Sequence, residues 1–353
     1  MSTLDVKIRK IDNVEIHPNA DSLDLAVIGG YRAVVKRGEF KTGDLALYIP
    51  DDTLFTDLSV AERLGIAPYL TGKGKNRVKP VRLRGSLSQG IVVPLENLKE
   101  YLYSQLILTF EFHENEDWAQ VLKVEKYEEP IPIQMAGKAR PWPSFLCKYD
   151  VENINRPESM KAMVPLEQVV VTEKLHGTNT SLAWNQTENQ IYVCSRNTAL
   201  EEDEKNLYWQ VVKKTGIYEK FEKMALDYSG ETLSLHGEIV GVQDLKYGHG
   251  NEKGFYAFDI CEDGKFLNWF AFFGLCSMYK IPMVPIVYIG DYDYKIISEF
   301  SKGQSLLDPS HIREGVVMKT LDERYDYDAG RTQFKFLSED YLVRKGKNVT
   351  ELH

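Results

Sequence analysis

Lys174 follows the apolar run Val169-Val170-Val171 and precedes Leu175-His176-Gly177-Thr178-Asn179. A strand ending in this way delivers an amine to the floor of a pocket. A free lysine is a poor nucleophile: with an ordinary pKa near ~10.4, roughly one molecule in a few thousand is neutral at pH 7. Partial burial or neighbouring cations must favour the amine before it can attack an electrophile. The same pattern also describes a solvated lysine at the end of a strand, so the segments downstream decide between the two readings.

Five such segments follow. Cys194-Ser195-Arg196-Asn197 ends a strand with a cation, either a surface arginine or a phosphate contact. Leu235-His236-Gly237-Glu238 sets a carboxylate in an apolar context, as a surface turn or as an acceptor for ribose hydroxyls. Gly254-Phe255-Tyr256-Ala257-Phe258-Asp259-Ile260 is an aromatic-rich strand, either core or, through Phe258, a ring that stacks on a nucleobase. In His311-Ile312-Arg313-Glu314-Gly315-Val316-Val317-Met318-Lys319, odd spacing sends Glu314 and Lys319 to opposite faces of a regular strand. Either a local irregularity brings both to a pocket or one of them plays a supporting role. Phe334-Lys335-Phe336 fits a half-buried strand with Lys335 facing a cleft or solvent.

Positioning these groups requires a mixed α/β region from residue 166 onward. Strand runs are expected at Val169–Val171, Ile191–Val193, Tyr256–Ile260 and Val316–Met318, and helices near 203–226 and 268–280. Residues 1–110 are different. Short apolar runs at Val6–Ile11, Leu25–Ile28, Arg32–Val35 and Leu45–Ile49 alternate with turn chemistry at His17-Pro18-Asn19-Ala20-Asp21, Gly29-Gly30 and Thr42-Gly43-Asp44. Such spacing predicts a small β-barrel. The His-Pro-Asn turn, Gly43-Asp44 with Tyr48-Ile49-Pro50, and Arg82-Leu83-Arg84-Gly85 resemble an OB-fold nucleic-acid module. Residues 111–165 form a joint, where Glu128-Glu129-Pro130-Ile131-Pro132 and Ala139-Arg140-Pro141-Trp142-Pro143 exclude regular helix.

The chain's 353 residues suffice for a sizeable core, and 43% hydrophobic with 27% charged residues is the balance of a soluble globular protein. No apolar run approaches the ~20 residues of a membrane span, and the N-terminus lacks an apolar signal region, so a cytoplasmic or nuclear location is expected. Cys147, Cys194, Cys261 and Cys276 are scattered, which points to reduced thiols. A net charge of −9 argues against unspecific coating of nucleic acid. A local exception is Lys73, Lys75, Arg77, Lys79, Arg82 and Arg84, a run without acids that is either a solvated loop or a phosphate-touching one.

Together, Lys-x-His-Gly-Thr-Asn, Ser-Arg-Asn, Gly-Glu-Ile-x-Gly, Phe-x-x-Phe-Asp-Ile, Glu-Gly-Val-Val-x-Lys and Phe-Lys-Phe resemble the motif series of covalent nucleotidyltransferases, the polynucleotide ligases and capping enzymes. His-Gly-Thr-Asn after the lysine is similar to the ATP-dependent RNA ligases. Lys148-Tyr149-Asp150 and the tail through Tyr341 resemble the branch with an N-terminal OB-fold domain.

The resemblance implies an α+β fold: an OB-fold barrel at 1–110, the joint at 111–165, and a nucleotidyltransferase domain with antiparallel sheets at 166–353. It implies Lys174 as nucleophile toward ATP, with His176, Lys319 and Lys335 in catalysis. Glu173, Leu175, Asn179, Arg196, Glu238, Phe258, Lys319 and Lys335 would bind nucleotide. Glu314 and Glu238 would face Mg2+, for which Mn2+ can substitute. The basic run would meet RNA with 3′-OH and 5′-phosphate ends, in a nicked duplex bridged by RNA or DNA, a hairpin break or single strands. One departure is visible. Relatives often end with Lys-x-Lys, whereas Gln333 and Leu337 flank Lys335, leaving Arg331 or Lys345 as substitutes. A DNA ligase, a GTP-using capping enzyme and a non-catalytic OB-fold binder remain as alternatives.

Overall fold

The computed structural model describes residues 4–128 and 137–344. Pro130 and Pro132 of the joint, with their neighbours Glu129 and Ile131, lie outside the described residues, as does Lys345. Two compact units divide the chain: Ser2–Tyr127 with Ile154–Met160, and Glu128–Asn153 with Lys161–His353.

The first unit is built from short antiparallel strands. β1 (Lys7–Lys10), β2 (Asn13–Ile16), β3 (Leu23–Ile28), β4 (Tyr31–Lys36), β5 (Leu45–Ile49) and β6 (Thr53–Phe55) precede α1 (Leu58–Arg63). β7 (Val81–Leu83) and β8 (Ser86–Ser88) form a hairpin, followed by β9 (Ile91–Pro94), α2 (Leu95–Ser104) and β10 (Val124–Lys126). Strand orders are β1-β5-β9 and β2-β3-β4. The unbroken apolar run of β5 has a simple cause. Its side chains alternate between two cores. Ala46 and Tyr48 join Ile11, Ile28 and Val35, while Leu47 and Ile49 join Phe55, Leu98 and Trp118. That second core needs α1 and α2, which a strand-only reading of 1–110 leaves out.

The second unit continues with β11 (Ala139–Arg140), β12 (Glu152–Asn153), α3 (Pro157–Ala162, begun in the first unit), β13 (Gln168–Lys174), β14 (Thr178–Asn185), β15 (Gln190–Ser195) and β16 (Ala199–Leu200). Then come α4 (Leu207–Lys214), α5 (Ile217–Asp227), β17 (Thr232–Val240), β18 (Gly254–Glu262), β19 (Lys265–Phe266), α6 (Trp269–Met278), β20 (Ile286–Asp291) and α7 (Tyr294–Phe300). β21 (Gly315–Thr320), the hairpin β22 (Tyr325–Asp326) and β23 (Gly330–Arg331), β24 (Gln333–Leu337) and α8 (Glu339–Leu342) complete it. The helix expected over 203–226 is two helices, because Gly216 takes a φ of 70° between them, a left-handed turn that favours glycine.

Two sheets face the site. One has seven strands in the order β11-β16-β15-β14-β17-β18-β19, and the other five in the order β12-β24-β21-β13-β20. The pairings are antiparallel except β12 with β24. Leu182, Val193, Leu235 and Ile260 bury one face of the larger sheet under α4, α5 and α6. The fold is thus α+β with antiparallel sheets. No helix among the described residues is long and apolar enough to cross a membrane. All four cysteines are free thiols, and Cys147 is less buried than the others.

Candidate active site

Lys174 is the last residue of β13 and pairs with Gly315 of β21. Its Nζ lies 2.7 Å from Glu314 Oε1, with the Glu314 side chain fully buried. Glu314 Oε2 is buried and has no hydrogen-bond partner among the described residues. Glu314 stands one position before β21, so strand parity does not bind it. Val317 and Lys319 then share the cleft-facing side of that strand. This local break resolves the odd spacing of Glu314 and Lys319. The turn after Lys174 is pinned to β17, because a Cβ on Gly177 would meet the Ile239 carbonyl oxygen at 2.1 Å.

Lys174 opens into a cleft between the two sheets of this unit. The smaller sheet contributes Lys174, Val317, Lys319, Gln333 and Lys335, the larger one Asn179, Glu238 and Phe258, and the turn after β15 Arg196. Asn179 and Glu238 are cross-strand partners. Phe258 reaches the cleft through a β-bulge. His236 pairs with Asp259 and Gly237 with Ala257, which leaves Phe258 as the extra residue. The bulge shifts the strand's alternation by one. Phe255 and Ala257 before it and Ile260 after it pack into the helix-covered core. Phe258 and Asp259 can therefore both turn to the cleft side. The Tyr149 ring sits 4.7 Å from that of Phe258, and the two planes meet at 44°.

A buried ionic cluster underlies this wall. Asp259 lies 3.3 Å from Lys319 Nζ and 2.7 Å from Arg331 Nη1. Burial alone would raise the Asp259 carboxyl, but Lys319 and Arg331 overcome it and hold the group below the usual carboxylate range. Burial works against the Arg331 cation too, and Asp259 and Glu323 more than restore it. The Tyr149 hydroxyl lies 2.9 Å from Asp259 Oδ2 and 2.8 Å from the Gln333 amide oxygen, and burial pushes its pKa well up. Behind it, burial holds His236 down at about 4, and its ring nitrogens meet the hydroxyls of Ser181 and Ser234.

Sequence comparisons meet this geometry. Residues 167–337 match the RNA ligase family profile, and residues 5–95 match the profile of an OB-fold domain. Residues 167–337 are thus a domain of the RNA ligase family. Its structure is similar to Naegleria gruberi RNA ligase with pyrophosphate, at 25% identity, a TM-score of 0.79, and coverage of 95% of this chain and 97% of that one. A mutant of that ligase with ATP and manganese gives the same identity and TM-score over 96% and 98% of the two chains. Another, with AMP and manganese, gives 25% identity and 0.78 over 95% and 97%. Among curated proteins, none matches by sequence.

Within this ligase-family unit, most expected site residues converge. Glu173 and Leu175 flank Lys174 and line the cleft. The Glu173 carboxylate turns away, accepting from the Leu306 amide at 2.7 Å, and Leu175 is buried with Val240, Leu245 and Tyr341. His176 is buried behind Glu314, its Nδ1 3.8 Å from Oε2. Arg196 pairs with Asp150. Arg331 is committed to Asp259 and Glu323, so it is not a spare phosphate cation. Gln333 instead lines the cleft two residues before Lys335. The sequence reading did not single out Tyr149, Asp150, Gln333 or Asp259 as site residues, because each earns its place through partners distant in the chain.

In the OB-fold unit the basic run divides. Lys73, Lys75, Arg82 and Arg84 are exposed and Lys79 is partly so. Arg77 is buried, paired with Asp52 and stacked 3.6 Å from the centre of the Tyr127 ring. It braces the fold and is withdrawn from the surface. His17 Nε2 donates to the Leu83 carbonyl at 3.1 Å and Asn19 Nδ2 to the Arg84 carbonyl at 3.0 Å. The His-Pro-Asn turn thus steadies the hairpin that carries Arg82 and Arg84.

Proposed function

We propose that the protein is an ATP-dependent RNA ligase that seals 3′-OH and 5′-phosphate ends through a lysyl-AMP on Lys174. The observation that carries this reading is Lys174 set against buried Glu314 at the mouth of a cleft that also gathers Lys319, Lys335, Arg196 and Phe258. The nucleotide, pyrophosphate and manganese named for the Naegleria structures support it.

ATP enters with its base against Phe258 and its ribose toward Glu238. Lys335, Lys319 and Arg196 hold phosphate oxygens, where fixed cations stabilise charge as it builds. Lys174 Nζ attacks the α-phosphorus, a phosphorus–nitrogen bond forms, and pyrophosphate leaves. AMP then passes to the RNA 5′-phosphate and restores the lysine. Attack by the 3′-hydroxyl on that activated phosphate releases AMP and closes the strand. The exposed cations at Lys73, Lys75, Arg82 and Arg84, with the partly exposed Lys79, grip RNA phosphates and align the ends.

The free, buried Glu314 oxygen fits a hard divalent cation. An ion there would be held by few carboxylates together with phosphate and water. Mg2+ or Mn2+ beside Glu314 would supply positive charge that favours the neutral Lys174 amine and offsets phosphate charge.

Incubation with α-labelled ATP and Mg2+, followed by a denaturing gel, should leave label on the protein and none on Lys174→Ala of unchanged melting temperature. Absence of label from the wild-type protein sinks the reading. Nicked duplexes with ribose or deoxyribose at each end, bridged by RNA or DNA, then define the substrate.

A further inference from the structure

His176 lies two residues after Lys174, is only 3% exposed, and is held from three sides. Its backbone N–H donates to the Tyr247 hydroxyl at 2.6 Å. Ring Nε2 stands 2.9 Å from Asp244 Oδ1, and Nδ1 stands 2.8 Å from the Tyr341 hydroxyl. An ionised carboxylate only accepts, so Nε2 carries a proton and donates to Asp244. In the neutral ring Nδ1 is then the acceptor for the Tyr341 O–H. These two contacts select one tautomer and fix the plane of the ring. Asp244 is itself anchored, 3.2 Å from Arg344. Nδ1 faces Glu314 Oε2 at 3.8 Å, and the other oxygen of Glu314 meets Lys174.

We propose that Asp244 and Tyr341 are positioning residues for the reaction. They act through His176, holding its ring against Glu314 so that Glu314 and Lys174 keep their mutual register. The inference rests on Lys174 being the nucleophile. Asp244 comes from the loop after β17 and Tyr341 from α8, so the turn bearing the nucleophile is gripped from two distant parts of the chain. Displacement of a reacting group by ~1 Å can cost about a hundredfold in rate.

Tyr341→Phe, Asp244→Asn and Asp244→Ala test this, alone and combined with His176→Ala. Two steps are timed separately in single turnover: labelling of the protein by ATP, and sealing of RNA that already carries a 5′-adenylate. Tyr341→Phe keeps the ring packing against His176, so its melting temperature serves as the folding control. The expected result is that Tyr341→Phe and Asp244→Ala slow whichever step His176→Ala slows, by about tenfold or more, a loss characteristic of removing a supporting hydrogen bond. The limiting rate falls while KM for ATP stays near its wild-type value. Adding either change to His176→Ala costs nothing further, as for residues acting in series. Asp244→Asn recovers most of the rate, because its amide oxygen still accepts from Nε2. A readout free of ATP and metal is the labelling of Lys174 by an amine-reactive reagent, mapped by mass spectrometry, which changes in Tyr341→Phe. If wild-type protein forms no lysine adduct, the underlying reading fails. If it does, and the variants match it or their losses add in full to His176→Ala, the clamp is overturned.

Discussion

Gly177→Ala probes how tightly Lys174, the proposed nucleophile, is placed. A Cβ there would lie 2.1 Å from the Ile239 carbonyl oxygen, 2.9 Å from its carbon and 3.0 Å from Glu238 Cγ. Ordinary contact begins near 3.4 Å, so about 1.3 Å must be found between two backbone segments. Neither yields easily. Ile239 lies in β17, paired with β14 on one side and β18 on the other. The turn is held by Tyr247 on the His176 amide and Gln243 on the Gly177 carbonyl. Overpacking of this kind costs about 1–3 kcal/mol of stability. On the proposed mechanism, a shift of ~1 Å in Lys174 relative to the α-phosphorus should lower the rate of lysine adenylylation about a hundredfold. Stopped-time labelling with ATP at saturating concentration measures the second effect, and a thermal melt the first. A Gly177→Ala protein that labels at the wild-type rate and melts unchanged would refute the close approach and the argument drawn from it.

Three further perturbations separate stability from binding. Burial holds His236 at about 4 against an ordinary 6.5, so the unfolded chain takes up its proton first as the pH falls. Its contribution to stability is complete above about pH 6.5 and is lost toward pH 4, amounting to about 3 kcal/mol across that window. Melting temperatures from pH 7.5 to 4.5 should fall more steeply for the wild type than for His236→Gln, and equal slopes would contradict this. Arg77→Ala leaves Asp52 and Tyr127 without a buried partner and should lower the melting temperature. Lys73→Ala with Lys75→Ala should weaken RNA binding and flatten its salt dependence at an unchanged melt, because both side chains are exposed. Equal melts for the two sets would remove the distinction.

The sequence made legible whatever depends on neighbours in the chain. The apolar run before Lys174, the glycine after it and the alternation around Lys335 are local, and strand ends and faces follow from them. Parity failed where geometry is irregular. Phe258 and Asp259 turn the same way because of a bulge whose register is set by β17, and no count along β18 alone reveals it. Glu314 reaches Lys174 because β21 starts one residue later. Arg331 read as a free cation and Arg77 as part of a basic surface. Their carboxylates, Asp259 and Asp52, lie far away in sequence, and burial beside them changes what each arginine does. Helix α2 went unread because its buried residues, Leu98, Tyr101 and Leu102, complete a core whose other half comes from β5 and Trp118.

The OB-fold unit is sewn from two separate lengths of chain. Ile154 is fully buried in it, the Asn155 carbonyl accepts from the Gly30 amide at 2.9 Å, Arg156 pairs with Asp5, and Glu158 lies 2.8 Å from Arg9. Immediately before this stitch in the chain, Asn153 belongs to the second unit, where it pairs with Lys335. A truncation that starts at residue 128 therefore strips Arg156 and Glu158 of their counter-charges, Asp5 and Arg9. Any exchange of this module between ligases must carry the short second piece with it, and a graft of residues 1–127 alone transplants a barrel with an open seam.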